Sequence, residues 1–155
     1  DDPALAKLAH DTERELRDFL AGANDASSDG DLPATLRRVA ASCEDRFGVR
    51  TALVVGDDLP TVTPSTANAL VGAVTEALNN VGKHADAATV NIYVEPDERG
   101  VFCSVRDDGR GFDVATTPEG LGVRESIRAR VAGAGGTTTL RSWPGEGTEV
   151  CVWLP

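Results

Sequence analysis

Four short stretches of this chain carry residue types whose spacing suits chemistry. In Glu76-Ala-Leu-Asn-Asn80-Val-Gly-Lys83-His84 the polar residues Glu76, Asn80, Lys83 and His84 stand at i, i+4, i+7 and i+8, so on a helix they share one face. A carboxylate, an amide and a cation then look into the same space. An amide oxygen is a hard neutral ligand of the kind that Mg2+ accepts beside water and phosphate oxygens, and Lys83 can meet phosphate as a point charge. The solvated side of an ordinary amphipathic helix would carry the same stripe. Gly82 adds a hint, because glycine inside a helix costs about 1 kcal/mol relative to alanine and asks for a packing, capping or ligand-access reason.

The second stretch, Asp107-Asp108-Gly109-Arg110-Gly111-Phe112, follows an expected strand. Alternate glycines let the backbone turn sharply and approach a ligand closely, and a carboxylate at a strand end can accept from an amino group such as that of adenine. Asp107 is the residue placed for that role, although Asp-Gly loops also join strands that bind nothing. The third is Gly120-Leu121-Gly122, leading into Val123-Arg124-Glu125-Ser126-Ile127-Arg128. Glycines ahead of a helix expose unpaired N–H groups that, with the helix dipole, favour an anion; Arg124 and Arg128 add positive charge one turn apart, as surface ion-pair arginines also would. The fourth is Gly145-Glu146-Gly147-Thr148, a hairpin turn whose threonine hydroxyl can bond a ligand or simply sit in a strand.

The elements that must hold these motifs follow from hydrophobic period and punctuation. Leu5, Leu8, Leu16, Phe19 and Leu20 recur at helical spacing before a polar run, Gly22 to Asp31. Pro33 suits the start of a second helix carrying Leu36, Val39, Ala40 and Cys43, with Gly48 as its stop. A strand is expected over 49–55, then a long helix over 64–83 whose stripe Leu70, Val74, Leu78 and Val81 faces a core. Alternation over 88–94 and 101–106 around Pro96 to Gly100 reads as a hairpin. A loop over 107–122, a helix over 123–132, and strands over 137–142 and 148–154 complete the chain. This order favours an α+β fold: a two-layer sandwich with a mixed, mostly antiparallel sheet and helices on one face.

Bulk properties narrow the function. At 155 residues and 41% apolar content the chain supports one ordinary core. Fifteen Lys and Arg against 25 Asp and Glu leave a formal charge of −10, which repels nucleic acid and anionic membranes. Any polyanion must find a local positive patch. Cys43, Cys103 and Cys151 show no C-x-x-C spacing, which argues against a disulfide framework or a zinc site and for a reducing, cytoplasmic setting. No apolar run nears the roughly 20 residues of a membrane span, and no signal-peptide pattern opens the chain. The absence of methionine and the start at Asp1-Asp2-Pro3 fit a piece of a longer protein.

Taken in order and at these distances, the four motifs closely resemble the ATPase domain of sensor histidine kinases, within the superfamily that also holds gyrase-type ATPases. The resemblance runs from about Leu32 to Pro155 and is closest to the subfamily that pairs with nitrate-regulator-type response regulators. It implies that Asn80 binds Mg2+, that Asp107 reads the adenine amino group, and that Gly109, Gly111 and Phe112 shape the loop around the base. It further implies that Gly120, Leu121 and Gly122 border a short ATP lid formed by residues 114–119, with Lys83 and His84 near the phosphates and Thr148 near the adenine end. Glu76 takes the place where ATP-hydrolysing relatives keep a carboxylate for activating water; in kinases its role is polarising or structural. Two departures stand out: Asp108 replaces a usual asparagine, and Ser126-Ile127 a usual small-residue and methionine pair.

The phosphoacceptor is the missing part. Kinases of this type carry a His-Asp pair early in a dimerising helix hairpin, and His10-Asp11 mimics it. Only about 22 residues separate His10 from Leu32, too few for a second long helix to return. Residues 1–21 are therefore expected to be the end of the dimerisation and phosphotransfer helix, 22–31 a linker and 32–155 the ATP-binding catalytic domain. The implied partners are the protein's own phosphoacceptor domain and a response regulator, with no direct nucleic-acid contact and membrane attachment only through the parent protein. Two other readings stay open: a serine kinase or ATP hydrolase of the same superfamily, and a nucleotide-sensing interaction module without kinase activity.

Overall fold

The computed structural model describes residues 31–155 and, before them, Pro3, Ala4, Ala6, Lys7, Ala9, His10 and Glu13, which are helical and exposed. The expected phosphotransfer-helix end and linker thus lie mostly outside the described residues.

Helix α1 spans Leu32–Phe47; the Asp31 carboxylate caps it by accepting from the Ala34 amide at 3.2 Å, and Gly48 ends it in the left-handed region. Strand β1 (Arg50–Val55) leads through a Pro-rich connection to α2, Pro64–Asn80. Thr63 caps α2 by accepting from the Thr66 amide at 3.2 Å, with Pro64 in its first turn. The stripe Leu70, Val74 and Leu78 is buried as expected, but Ala67, Val71, Ala73 and Ala77 are buried too. So α2 is sunk into the core on most of its circumference.

Strands β2 (Thr89–Asp97) and β3 (Gly100–Asp107) form the expected hairpin, although β2 runs three residues further and only Glu98 and Arg99 turn. Pro96 is tolerated because β1 ends opposite Val94, so beyond that point β2 has no neighbour needing its N–H on that side. Helix α3 (Pro118–Gly133), β4 (Thr137–Ser142) and β5 (Thr148–Leu154) follow.

The sheet order is β1-β2-β3-β5-β4, with β1 and β2 parallel and every other pair antiparallel. Helices α1, α2 and α3 lie on one face, where Val90, Ile92, Val94, Val101, Cys103, Val105, Val150, Val152 and Leu154 point. The other face carries Val54, Tyr93, and the tilted Phe102–Trp153 ring pair at 5.2 Å. The expected two-layer, mostly antiparallel α+β architecture is the one observed. All three cysteines are free thiols; burial pushes Cys103 up to about 12, which makes it a poor nucleophile.

Candidate functional site

The site grows from the point where α2 stops being an α-helix. After Asn80 the chain widens into a π-helical turn, Val81–Ala85, and Asp86 leaves it at φ 50°. Such turns recur where a helix must re-aim side chains. Gly82 is required here, since a β carbon on it would fall inside the Phe47 ring at the end of α1. At the end of this turn the Ala85 carbonyl accepts the Arg110 amide at 2.7 Å, and a β carbon on Gly109 would strike that same carbonyl. The turn and the glycine loop after β3 are in backbone contact.

A third segment closes the arrangement. The Gly145 amide donates to the Arg110 carbonyl at 2.6 Å, and Gly111, at φ 61°, has no room for a β carbon against the Trp143 carbonyl. Between the three segments lies a cavity of about 140 Å³ lined by Asn80, His84, Ala85, Arg110, Gly111, Phe112, Thr117 and Thr148. That is below the roughly 300 Å³ of a complete small-molecule pocket, so it has room for only one end of a larger ligand.

Five residues singled out in the sequence, Asn80, His84, Gly111, Phe112 and Thr148, thus meet around one space. Asn80 is buried rather than on a solvated stripe, and it lines this cavity. Asp107 is buried just behind Thr148; its Oδ1 accepts from the Gly109 amide at 2.8 Å, and its carboxylate also takes the Thr148 amide. Burial raises its pKa above the ordinary carboxylate value of 3.8, and these two amide bonds oppose the rise.

The other expected residues stand further off. Glu76 is half-buried one turn before Asn80 and does not line the cavity; Lys83 is exposed on the π-helical turn. Helix α3 begins at Pro118, five residues earlier than expected, because Thr117-Pro118 makes a good helix start. Gly120, Leu121 and Gly122 therefore occupy its first turns instead of a preceding loop, and Gly122 is exposed. Arg110, Ala85 and Thr117 line the cavity without having been singled out. Arg110 was within reach of sequence reasoning, since it sits between the two loop glycines.

Residues 65–155 match the family described as Histidine kinase-, DNA gyrase B-, and HSP90-like ATPase. The chain belongs to that family. Sensor histidine kinase NarS of Mycobacterium tuberculosis is 33% identical over 129 residues, which cover 80% of this chain and 29% of NarS. Among solved structures, the histidine kinase domain of the Erythrobacter litoralis blue-light activated kinase EL346 superposes with a TM-score of 0.62 at 27% identity, covering 80% of this chain and 60% of that one. The ATP-binding domain of PrrB from Mycobacterium tuberculosis gives 0.59 at 26% identity, covering 81% of this chain and 92% of PrrB's. The chain is thus an ATP-binding domain of the sensor-kinase kind, and it spans under a third of the length of the curated relative NarS.

Proposed function

We propose that this domain holds MgATP with its base in the cavity and donates the γ-phosphoryl group to a histidine on a separate helical domain of a sensor kinase, for relay to a response regulator. The observation that carries this reading is Asn80: a largely buried residue that opens into the same cavity as Thr148, whose own amide holds Asp107. Asn80 offers the amide oxygen for Mg2+, and the nucleotide's phosphates supply further oxygens, as is usual for this ion. Bound Mg2+ neutralises phosphate charge. Asp107 and Thr148 face the base, His84 and Lys83 lie on the exposed side toward the phosphates, and residues 114–119, whose last two open α3, form the lid, bordered by Gly120, Leu121 and Gly122 in the helix's first turns. The chain's contribution is positioning and charge neutralisation, which dominate phosphoryl transfer.

The domain works in the cytoplasm; no helix among the described residues is long and apolar enough to cross a membrane.

Calorimetry with MgATP on wild type and Asn80→Ala tests the reading. The wild type binds, and the variant loses the Mg2+-dependent part of the affinity. No binding to the wild type would favour an interaction module, and steady ATP hydrolysis abolished by Glu76→Ala would favour a hydrolase. Covalent label from radioactive ATP on His10 would overturn the separation of acceptor and catalytic domains.

A further inference from the structure

Ser142, the last residue of β4, is buried and lies outside the cavity lining, yet three polar groups of the site converge on its hydroxyl. The Phe112 amide donates to Ser142 Oγ at 2.9 Å. Ser142 Oγ reaches the Gly147 carbonyl at 3.1 Å and Thr148 Oγ1 at 2.8 Å. A serine hydroxyl has one hydrogen and two acceptor lone pairs. If that hydrogen went to Thr148, the buried Gly147 carbonyl would lose this donor and the Thr148 hydrogen would be left to find another acceptor. If it goes to Gly147, Thr148 donates its own hydrogen to Ser142 and all three contacts are made. The second arrangement leaves fewer buried groups unpaired and so has the lower free energy.

In that arrangement the hydrogen of Thr148 is spent on Ser142, and its hydroxyl has only lone pairs left to offer a ligand in the cavity that Thr148 lines. We propose that Ser142 is a positioning residue that fixes the Thr148 hydroxyl as an acceptor toward the ligand and so favours a purine bearing an amino group over one bearing a carbonyl. The inference rests on the nucleotide reading above. It adds to Asp107 a second acceptor whose polarity is set by a neighbour, not by its own chemistry. Because the same Ser142 oxygen holds the Phe112 amide, the hydroxyl also ties the β4–β5 turn to the glycine loop.

The test compares MgATP with MgITP, which carries a carbonyl where adenine has its amino group, by calorimetry on the whole chain. Ser142→Ala frees the Thr148 hydrogen to point at the ligand, so the preference for ATP over ITP falls about five- to tenfold, the scale of one hydrogen bond. Ser142→Thr, which keeps the hydroxyl, restores most of it, and Thr148→Val loses it as Ser142→Ala does. Equal weakening of both nucleotides by Ser142→Ala, or no rescue by Ser142→Thr, would reduce Ser142 to a structural residue and overturn the proposal. Should Ser142→Ala fail to fold, a ratio kept in Ser142→Thr and lost in Thr148→Val supports it, and the same ratio in both overturns it. A wild type that binds neither nucleotide sinks the underlying nucleotide reading, whereas ATP binding with an unmoved ratio sinks only the role of Ser142.

Discussion

The Ala85 carbonyl accepts the Arg110 amide at 2.7 Å, with Gly109 pressed against the same carbonyl, so the end of the α2 π-helical turn and the loop after β3 are in direct backbone contact. Asn80 precedes the first segment and Asp107 the second, so their separation depends on this contact.

Gly109→Ala should open it. The added methyl has no room against the Ala85 carbonyl, and the obstacle is backbone, which cannot rotate aside. Overpacking of this kind costs about 1–3 kcal/mol. Urea denaturation should read that loss, and MgATP affinity should fall about tenfold or more as the loop is displaced. Wild-type affinity in a folded variant would mean that the contact does not set the site.

Gly82 and Phe47 should behave as a coupled pair. Gly82→Ala places a methyl in the Phe47 ring and should destabilise by about 1–3 kcal/mol. In the background of Phe47→Ala the same change should cost much less, because the obstacle is gone. A double-mutant cycle that proves additive would contradict the packing.

Asp107 gives the site a pH dependence. Its folded pKa is raised above 3.8, chiefly by burial, so the folded state holds this proton more tightly than the unfolded chain. Stability should therefore fall as pH rises from the unfolded value through the raised one. ATP binding has the opposite sense, since the ionised form is the acceptor: affinity should decline as pH drops through that raised value. Asp107→Asn should remove this dependence and lower affinity about tenfold or more, the scale of a hydrogen bond to a charged group. Calorimetry across the acid range reads both effects.

Asp108, the departure from the usual asparagine, clamps the ends of two strands. Its Oδ1 accepts the Ala88 and Thr89 amides, each at 2.9 Å, and Oδ2 accepts the Thr89 hydroxyl at 2.9 Å. Hydrogen bonds from Thr89 foremost, then from Ala88, hold its pKa below the ordinary value. A depressed carboxylate stabilises above its unfolded pKa, and that contribution disappears as pH falls through the folded one. Asp108→Asn keeps an amide oxygen for the two backbone donors but gives up the charge, so Tm at neutral pH should fall slightly and this acid-side loss should vanish. Asp108→Ala should lower Tm. Thermal melts over an acid pH series distinguish the two variants.

Much of this protein was legible locally. Asp31 and Gly48 bracket α1, Thr63-Pro64 opens α2, and period-two alternation marks β2, β3 and β5, because caps and pleats are decided by neighbours in the chain. The same locality misled at Gly120 to Gly122: glycines read as loop, but Thr117-Pro118 starts the helix ahead of them.

The residues by themselves determined the fold class and the short motifs that mark the ATPase family, since period, capping and glycine spacing are written along the chain. Only the tertiary structure decided that Asn80 is buried at the cavity, that Gly109 lies against Ala85, and that the Ser142 and Thr148 hydroxyls meet. Those facts depend on backbones far apart in sequence coming within van der Waals distance. No local pattern encodes such closeness, because it is set by how the helix layer settles on the sheet.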